Sequence, residues 1–379
     1  MKIEPVYGLF LRVVWSQILA GQETLKNGKE TVVAQSPWKL VDVDSKTSLR
    51  GLHVLSEKDI WASGSGGTII HSIDGGQTWR VKIVPGAEEL DFRDIHAMDD
   101  ASIVAITSGT PARIYRTVDG GSNWKLVYEN ADERVFLDAL SCWDDQTGIV
   151  MGDPIDNKLF LLGTSDGGKS WERYKQTPRL LRGEAGFAAS GTNMFTSGKQ
   201  KAFIALGGDL PDKSTNASRI LVSDDAGKVW AAAKVPMARN ASAGIFSICF
   251  ANPLDGVAVG GDYKQPDDTT NNYATTHDGG KSWQIPNKRQ PPSGYRSCVA
   301  KWVDGREVNF VSVGPSGTDL SSDLGDHWRR VSNEGFHAVD FTPDGKHGWA
   351  TGADGRIAQW LGISKVKSGK RDANKSKPD

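Results

Sequence analysis

The chain has 379 residues, 45 basic and 46 acidic, with a formal net charge of −1. That balance gives no whole-chain drive toward nucleic acid or acidic membrane surfaces, and no stretch reaches the roughly 18 uninterrupted apolar residues of a transmembrane segment. At 38% hydrophobic the chain can bury a core, while 43 Gly and 13 Trp point to many tight turns and to a tryptophan that recurs for packing.

Residues 1–35 precede any regular pattern. An apolar run from Val6 to Ala20 is broken by Arg12, and its basic flank is only Lys2, offset by Glu4. The segment reads as an export signal or a disordered lead, so the expected location is periplasmic or extracellular, with a cytoplasmic one as the alternative.

From residue 36 the sequence repeats. Ser or Thr, any residue, Asp, any, Gly, any, any, Trp occurs six times, with the aspartates at Asp74, Asp119, Asp166, Asp225, Asp278 and Asp323. The spacings are 45, 47, 59, 53 and 45 residues. The chemistry is that of a locked turn. Asp accepts backbone N–H groups of its own turn, Gly takes a conformation that side chains resist, and Trp buries its ring at the start of the next strand. These aspartates are therefore read as structural.

Ahead of each box three short strands recur, as in Leu49–Leu55, Ile60–Gly64 and Thr68–His71. Four strands per 45 to 60 residues without a helical period describe a propeller blade. After the sixth box come three more strands and no box, ending at Trp360, while Ser36–Val41 mimics the strand that follows a box, with Trp38 in the place of the box Trp. The expected fold is all-β: a seven-bladed propeller of four-stranded antiparallel blades over residues 36–362, its last blade completed by the N-terminal strand. Residues 363–379 are polar and basic and read as a disordered tail.

Strand alternation puts all six boxes on one face, so a central pocket is expected to open on the other. Around that opposite rim the first-strand starts include Arg50, Arg93, Asp138, Glu184, Arg296 and His337, and the second-strand ends include Asp153, Asp209 and Asp262. The basic members fall on blades six, seven, one and two; the acidic ones fall on three to five. Arg50, Arg93, Arg296 and His337, with Asp153 and Asp262, form the candidate ligand site: converging arginines bind a carboxylate or phosphate through forked bonds. The alternative is that the arginines pair with the facing acids. His53 and His96 are expected to pack within the inner strands. The long rim loops 210–218 and 264–272 either grip a partner or are solvated insertions.

Other chemistry is missing. There is no P-loop, dinucleotide fingerprint, HExxH, CxxC or GxSxG, so neither cofactor nor metal is expected. Cys142, Cys249 and Cys298 each lie in an apolar run and read as buried free thiols.

The six boxes match the Asp-box (BNR) repeat of sialidases, related glycoside hydrolases and non-catalytic receptor propellers. With seven blades and an N-terminal closing strand, the chain most resembles the photosystem II stability and assembly factor family and its bacterial relatives. That resemblance implies a non-catalytic module binding a protein partner, or an anionic ligand, at the rim opposite the boxes. A monomer is expected, without nucleic acid. The more distant resemblance to sialidases implies an alternative: a glycoside hydrolase with Arg50, Arg93 and Arg296 on a substrate carboxylate. Tyr263 or Tyr295 would act with Glu184, or Asp138 with Asp262. Two features oppose it: the Phe-Arg-Ile-Pro motif is absent, Phe92-Arg93-Asp94-Ile95 being nearest, and sialidases have six blades.

Overall fold

Each repeat folds as an antiparallel sheet whose first strand lines a central channel and whose last strand faces outward. The computed structural model describes residues 36–209, 217–287 and 290–363; the expectations for residues 1–35, for most of the loop 210–218 and for the tail beyond 363 lie outside these. The described residues hold strands and no helix, arranged as seven sheets.

Blade one shows the plan: Leu49–Val54, Ile60–Gly64, Thr68–Ser72 and Arg80–Ile83 pair in chain order. The two middle strands are wholly buried, whereas the outermost, Arg80–Ile83, is largely exposed. Near-continuous apolar runs such as Ile103–Ser108 follow from packing between two neighbouring blades. Blade seven closes the ring as expected. Ala338–Phe341, Gly348–Thr351 and Ile357–Trp360 are joined by Trp38–Val41, with Trp38 opposite Trp360. The two rings lie 4.7 Å apart at their centroids, Phe336 packs at 5.0 Å, and the Trp38 indole N–H donates to Thr318 Oγ1 at 2.9 Å.

The boxes are locked turns. In all six, the leading hydroxyl donates to the Asp carboxylate at 2.8–2.9 Å. The same oxygen accepts the N–H of the second Gly-position residue at 2.9–3.1 Å. The carboxylate accepts a further N–H four residues on, as from Thr78 at 2.8 Å. Those bonds hold the Asp74 and Asp119 carboxyls down at about 2.

The box glycine also fits adjacent blades together. A Cβ on Gly76 would sit 2.0 Å from the Trp349 ring of blade seven, and one on Gly121 would sit 2.9 Å from the Trp61 ring of blade one. The same position in the other boxes meets Val104, Ile149, Phe203 and Val257, each on the second strand of the preceding blade. The repeat thus encodes the joint between blades as well as the turn within one.

Two strand expectations need correction. The inner strand of blade four is Met194–Ser197, so Glu184 does not start it; Glu184–Ala185 pairs instead with Gly207–Gly208 and extends the sheet of blade five. The outer strand of blade five shrinks to one bridge between Thr275 and Gln284. Between Glu184 and Met194 the chain leaves the rim altogether.

Candidate binding sites at the two ends of the channel

Residues 186–193, with no sequence signal for regular structure, cross the channel at the end away from the boxes. Phe187 stacks on Phe246 of blade five at 4.5 Å. The carbonyl oxygens of Ala188 and Ala189 accept from Arg93 of blade two at 3.1 Å and Arg50 of blade one at 3.4 Å. Ser190 Oγ donates to Ser297 O of blade six at 2.9 Å, and Thr192 bonds Ser247 at 2.7 Å. Gly191 passes Asp94 so closely that a Cβ would meet the carboxylate at 2.2 Å. One segment touching four blades is a plug. The expected pocket at this end is therefore closed, because the blade-four connection fills it.

Around the plug the predicted rim residues separate. Arg50 is half-buried with, among the described residues, only its long bond to Ala189, and burial followed by the field of Arg93 pulls its pKa down. Arg93 donates to Ser108 at 3.2 Å and meets Asp91 at 3.2 Å, leaving its buried Nε without a partner. His337 stands in the same field, but it is not the basic member expected. Burial, then the Arg50 charge, pulls it down to about 4, so the ring is neutral at pH 7, with Nδ1 3.0 Å from Leu49 O.

Arg296 does not join this group. It is fully buried in blade six, where Nε meets Asp319 at 2.6 Å and further bonds go to Tyr295 O, Ser316 and Ser293. The expected trio reduces to a pair, since Arg296 already has its carboxylate.

The acidic arc is equally uneven. Asp138 is buried with Oδ2 unpartnered; burial and the nearby Asp153 push its carboxyl well up, and burial raises Asp153 to about 6. Asp262 bonds Asn240 at 3.0 Å and the N–H of Lys264 at 2.9 Å, and its pKa is lowered despite burial. It does not stand with Asp138 as a carboxylate pair: Asp138 titrates with Asp153. Glu184 is buried and bound by Arg219 through two nitrogens, one at 2.6 Å. Tyr295 packs edge-on to Phe246 at 4.8 Å and burial pushes its hydroxyl up, while Tyr263 is 46% exposed. Neither tyrosine is the partner of Glu184, so the constellation that a sialidase-like reading needs is not assembled.

The open cavity lies at the other end. About 320 Å³ of space extends from the plug residues Ser190–Thr192 to the exposed Pro343, in a turn on the box face. Its wall carries one residue from each blade at the same strand level: His53, His96, Ser141, Phe195, Cys249, Ala300 and Asp340, with Lys301 one residue further along its strand toward the box face. Each pairs with the equivalent residue of its second strand, for instance His53 with Trp61 and Asp340 with Trp349. The two imidazoles lie 4.2 Å apart, and burial pulls both down, His96 to about 4. As expected they pack among the inner strands, but they also face this space. At this level and just above it, side chains staple neighbouring blades: Asp340 Oδ2 accepts Val54 N, and Asp94 Oδ2 accepts Leu140 N, both at 2.8 Å. Burial raises both carboxyls to about 7. Cys249 and Cys298 are buried free thiols, and Cys142 is a half-buried one.

Comparison with known proteins agrees with this architecture. A family profile described as "Photosynthesis system II assembly factor YCF48" matches residues 30–132. A solved structure of YCF48 bound to D1 peptide is 14% identical, with a TM-score of 0.58, covering 89% of this chain and 100% of that one. YCF48 from Cyanidioschyzon merolae is 16% identical, with a TM-score of 0.56 over 85% of this chain and 98% of that one. The GH74 enzyme of Niastella koreensis, 14% identical, aligns with a TM-score of 0.54 over 85% of this chain but 44% of its own length. No curated protein matches by sequence. The chain is a seven-bladed Asp-box propeller that resembles the photosystem II assembly factor YCF48.

Proposed function

We propose that the protein is a non-catalytic propeller that binds an acidic segment of a protein partner at the rim opposite the Asp boxes, through Arg50 and Arg93. The observation that carries this reading is Arg50: a guanidinium next to a second arginine, within the field of Asp91 but, among the described residues, with one long backbone contact and no carboxylate in an ion pair with it. Charge-assisted bonds to a partner carboxylate meet that need. The resemblance to YCF48, one of whose structures holds a D1 peptide, supports a peptide-binding role. Glu184 held by Arg219 supports binding over hydrolysis.

The test is fluorescence polarisation with an array of acidic 15-residue peptides and their amide-substituted counterparts. The expected result is saturable binding of acidic peptides that weakens about tenfold or more in Arg50→Ala/Arg93→Ala. Equal binding by that folded variant, or cleavage of a fluorogenic sialoside by the wild type, overturns the proposal.

A further inference from the structure

The channel on the box face has chemistry of its own, independent of the rim. Around the seven-residue ring the polar members are contiguous, running Asp340, His53, His96, Ser141 from blade seven to blade three, and Lys301 of blade six lines the same space one residue beyond Ala300, nearer the mouth. Phe195 and Cys249 complete it on blades four and five, backed by Phe250, whose ring lies 5.6 Å from Phe195, and by Met194 and Ile248.

Lys301 is the unmet charge. It is half-buried and forms no ion pair among the described residues. The carboxylates that share the cavity are turned to other work. Asp340 accepts the Val54 N–H, and Asp94 accepts those of Ile95 and Leu140. With both raised to about 7 by burial, neither is a full negative charge at neutral pH. The neutral imidazoles of His53 and His96 add hydrogen-bonding capacity without charge. The plug closes the far end, so an occupant must enter past Pro343 and fit about 320 Å³, near the lower limit of small-molecule pockets.

We infer that this blind channel binds a small organic carboxylate with an apolar body. Its carboxylate sits on Lys301 beside the two imidazoles, and its body lies against Phe195, Phe250 and Ile248. Charge-assisted donation from an ammonium sheltered from water supplies affinity, and the apolar wall selects against small hydrophilic anions. This site is on the opposite face from the arginines, and it stands or falls separately from the rim proposal.

Benzoate and 3-phenylpropionate are the probes, with benzamide as the uncharged match. In titrations followed by histidine C2–H resonances, both acids are expected to shift the His53 and His96 signals saturably. The acids are also expected to raise Tm in proportion to occupancy. Benzamide and Lys301→Met, which keeps the aliphatic stem, are each expected to bind about tenfold or more weakly, and Lys301→Arg to restore binding. Unmoved His53 and His96 resonances in the wild type overturn the inference without any mutation. So do equal affinities for benzoate and benzamide.

Discussion

The glycine at the fifth box position does two jobs that one substitution pair separates. Gly75 and Gly76 have nearly the same backbone angle, φ 72° and 77°. A Cβ on Gly75 meets only Glu57 O at 3.1 Å, whereas one on Gly76 overlaps the Trp349 ring. Gly75→Ala is expected to cost about 1–2 kcal/mol from the left-handed backbone alone. Gly76→Ala is expected to lose at least about 2 kcal/mol more, because the blade-seven tryptophan has to move. Urea denaturation of both variants measures the difference, and equal losses sink the account of the blade joint. The sequence showed that this glycine recurs, since a turn leaves a local pattern. Its neighbour Trp349 lies far along the chain, and no local pattern announces that contact. Arg296 was misplaced for a related reason: its partner Asp319 belongs to another strand of the same blade, and spacing alone does not tell a buried ion pair from an open cation.

Among elements, the closing strand Trp38–Val41 ties the two ends of the ring together through one buried residue. Trp38 is 5% exposed and touches Phe336, Trp360 and Thr318. Trp38→Ala is expected to lower stability by about 3–5 kcal/mol, read from the denaturant midpoint at unchanged slope. A loss within about 0.5 kcal/mol would show that the seventh blade stands without this strand. Blade count and closure were legible because most strands repeat an apolar pattern and each box repeats a turn. The plug was not legible. Gly186–Asn193 has no period, and its partners Arg50, Arg93, Ser247 and Ser297 come from four blades. Without it, strand alternation placed the cavity at the wrong end.

Across the whole molecule, two families of carboxyls pull the pH dependence in opposite directions. The box aspartates are held low by hydrogen bonds in the folded state, Asp74, Asp119, Asp166 and Asp278 at about 2. Their contribution is present above the unfolded value near 4 and is lost as pH falls through about 2. Asp94 and Asp340 run the other way: raised to about 7, they hold protons that the unfolded chain releases, so stability falls as pH rises from about 4 through 7. Buried His53, His96 and His337, held neutral where the unfolded chain takes up protons below about 6.5, oppose this second limb on the acid side, so the carboxyl contribution is read by mutation. Asp340→Asn, which keeps an acceptor for Val54 N–H, is expected to raise Tm by a few degrees at pH 8 and hardly at all at pH 4. Thermal unfolding from pH 2 to 8 checks both limbs, and an Asp340→Asn variant whose Tm differs from the wild type equally at pH 4 and pH 8 contradicts the second.

The pairing of Trp38 with Trp360 also bears on how the molecule is made. On a ribosome Trp38 emerges 280 residues ahead of Thr318, its indole partner, and Trp360 comes later still. Six blades are able to assemble in order from neighbouring sequence, but the seventh has to wait until the strand ending at Trp360 has emerged, with a long loop still to be closed. Until then both open ends of the arc present bare strand edges that invite a second molecule. A circular permutant cut in the Val84–Asp91 connection and joined through residues 361–36 would make the seventh blade co-translationally.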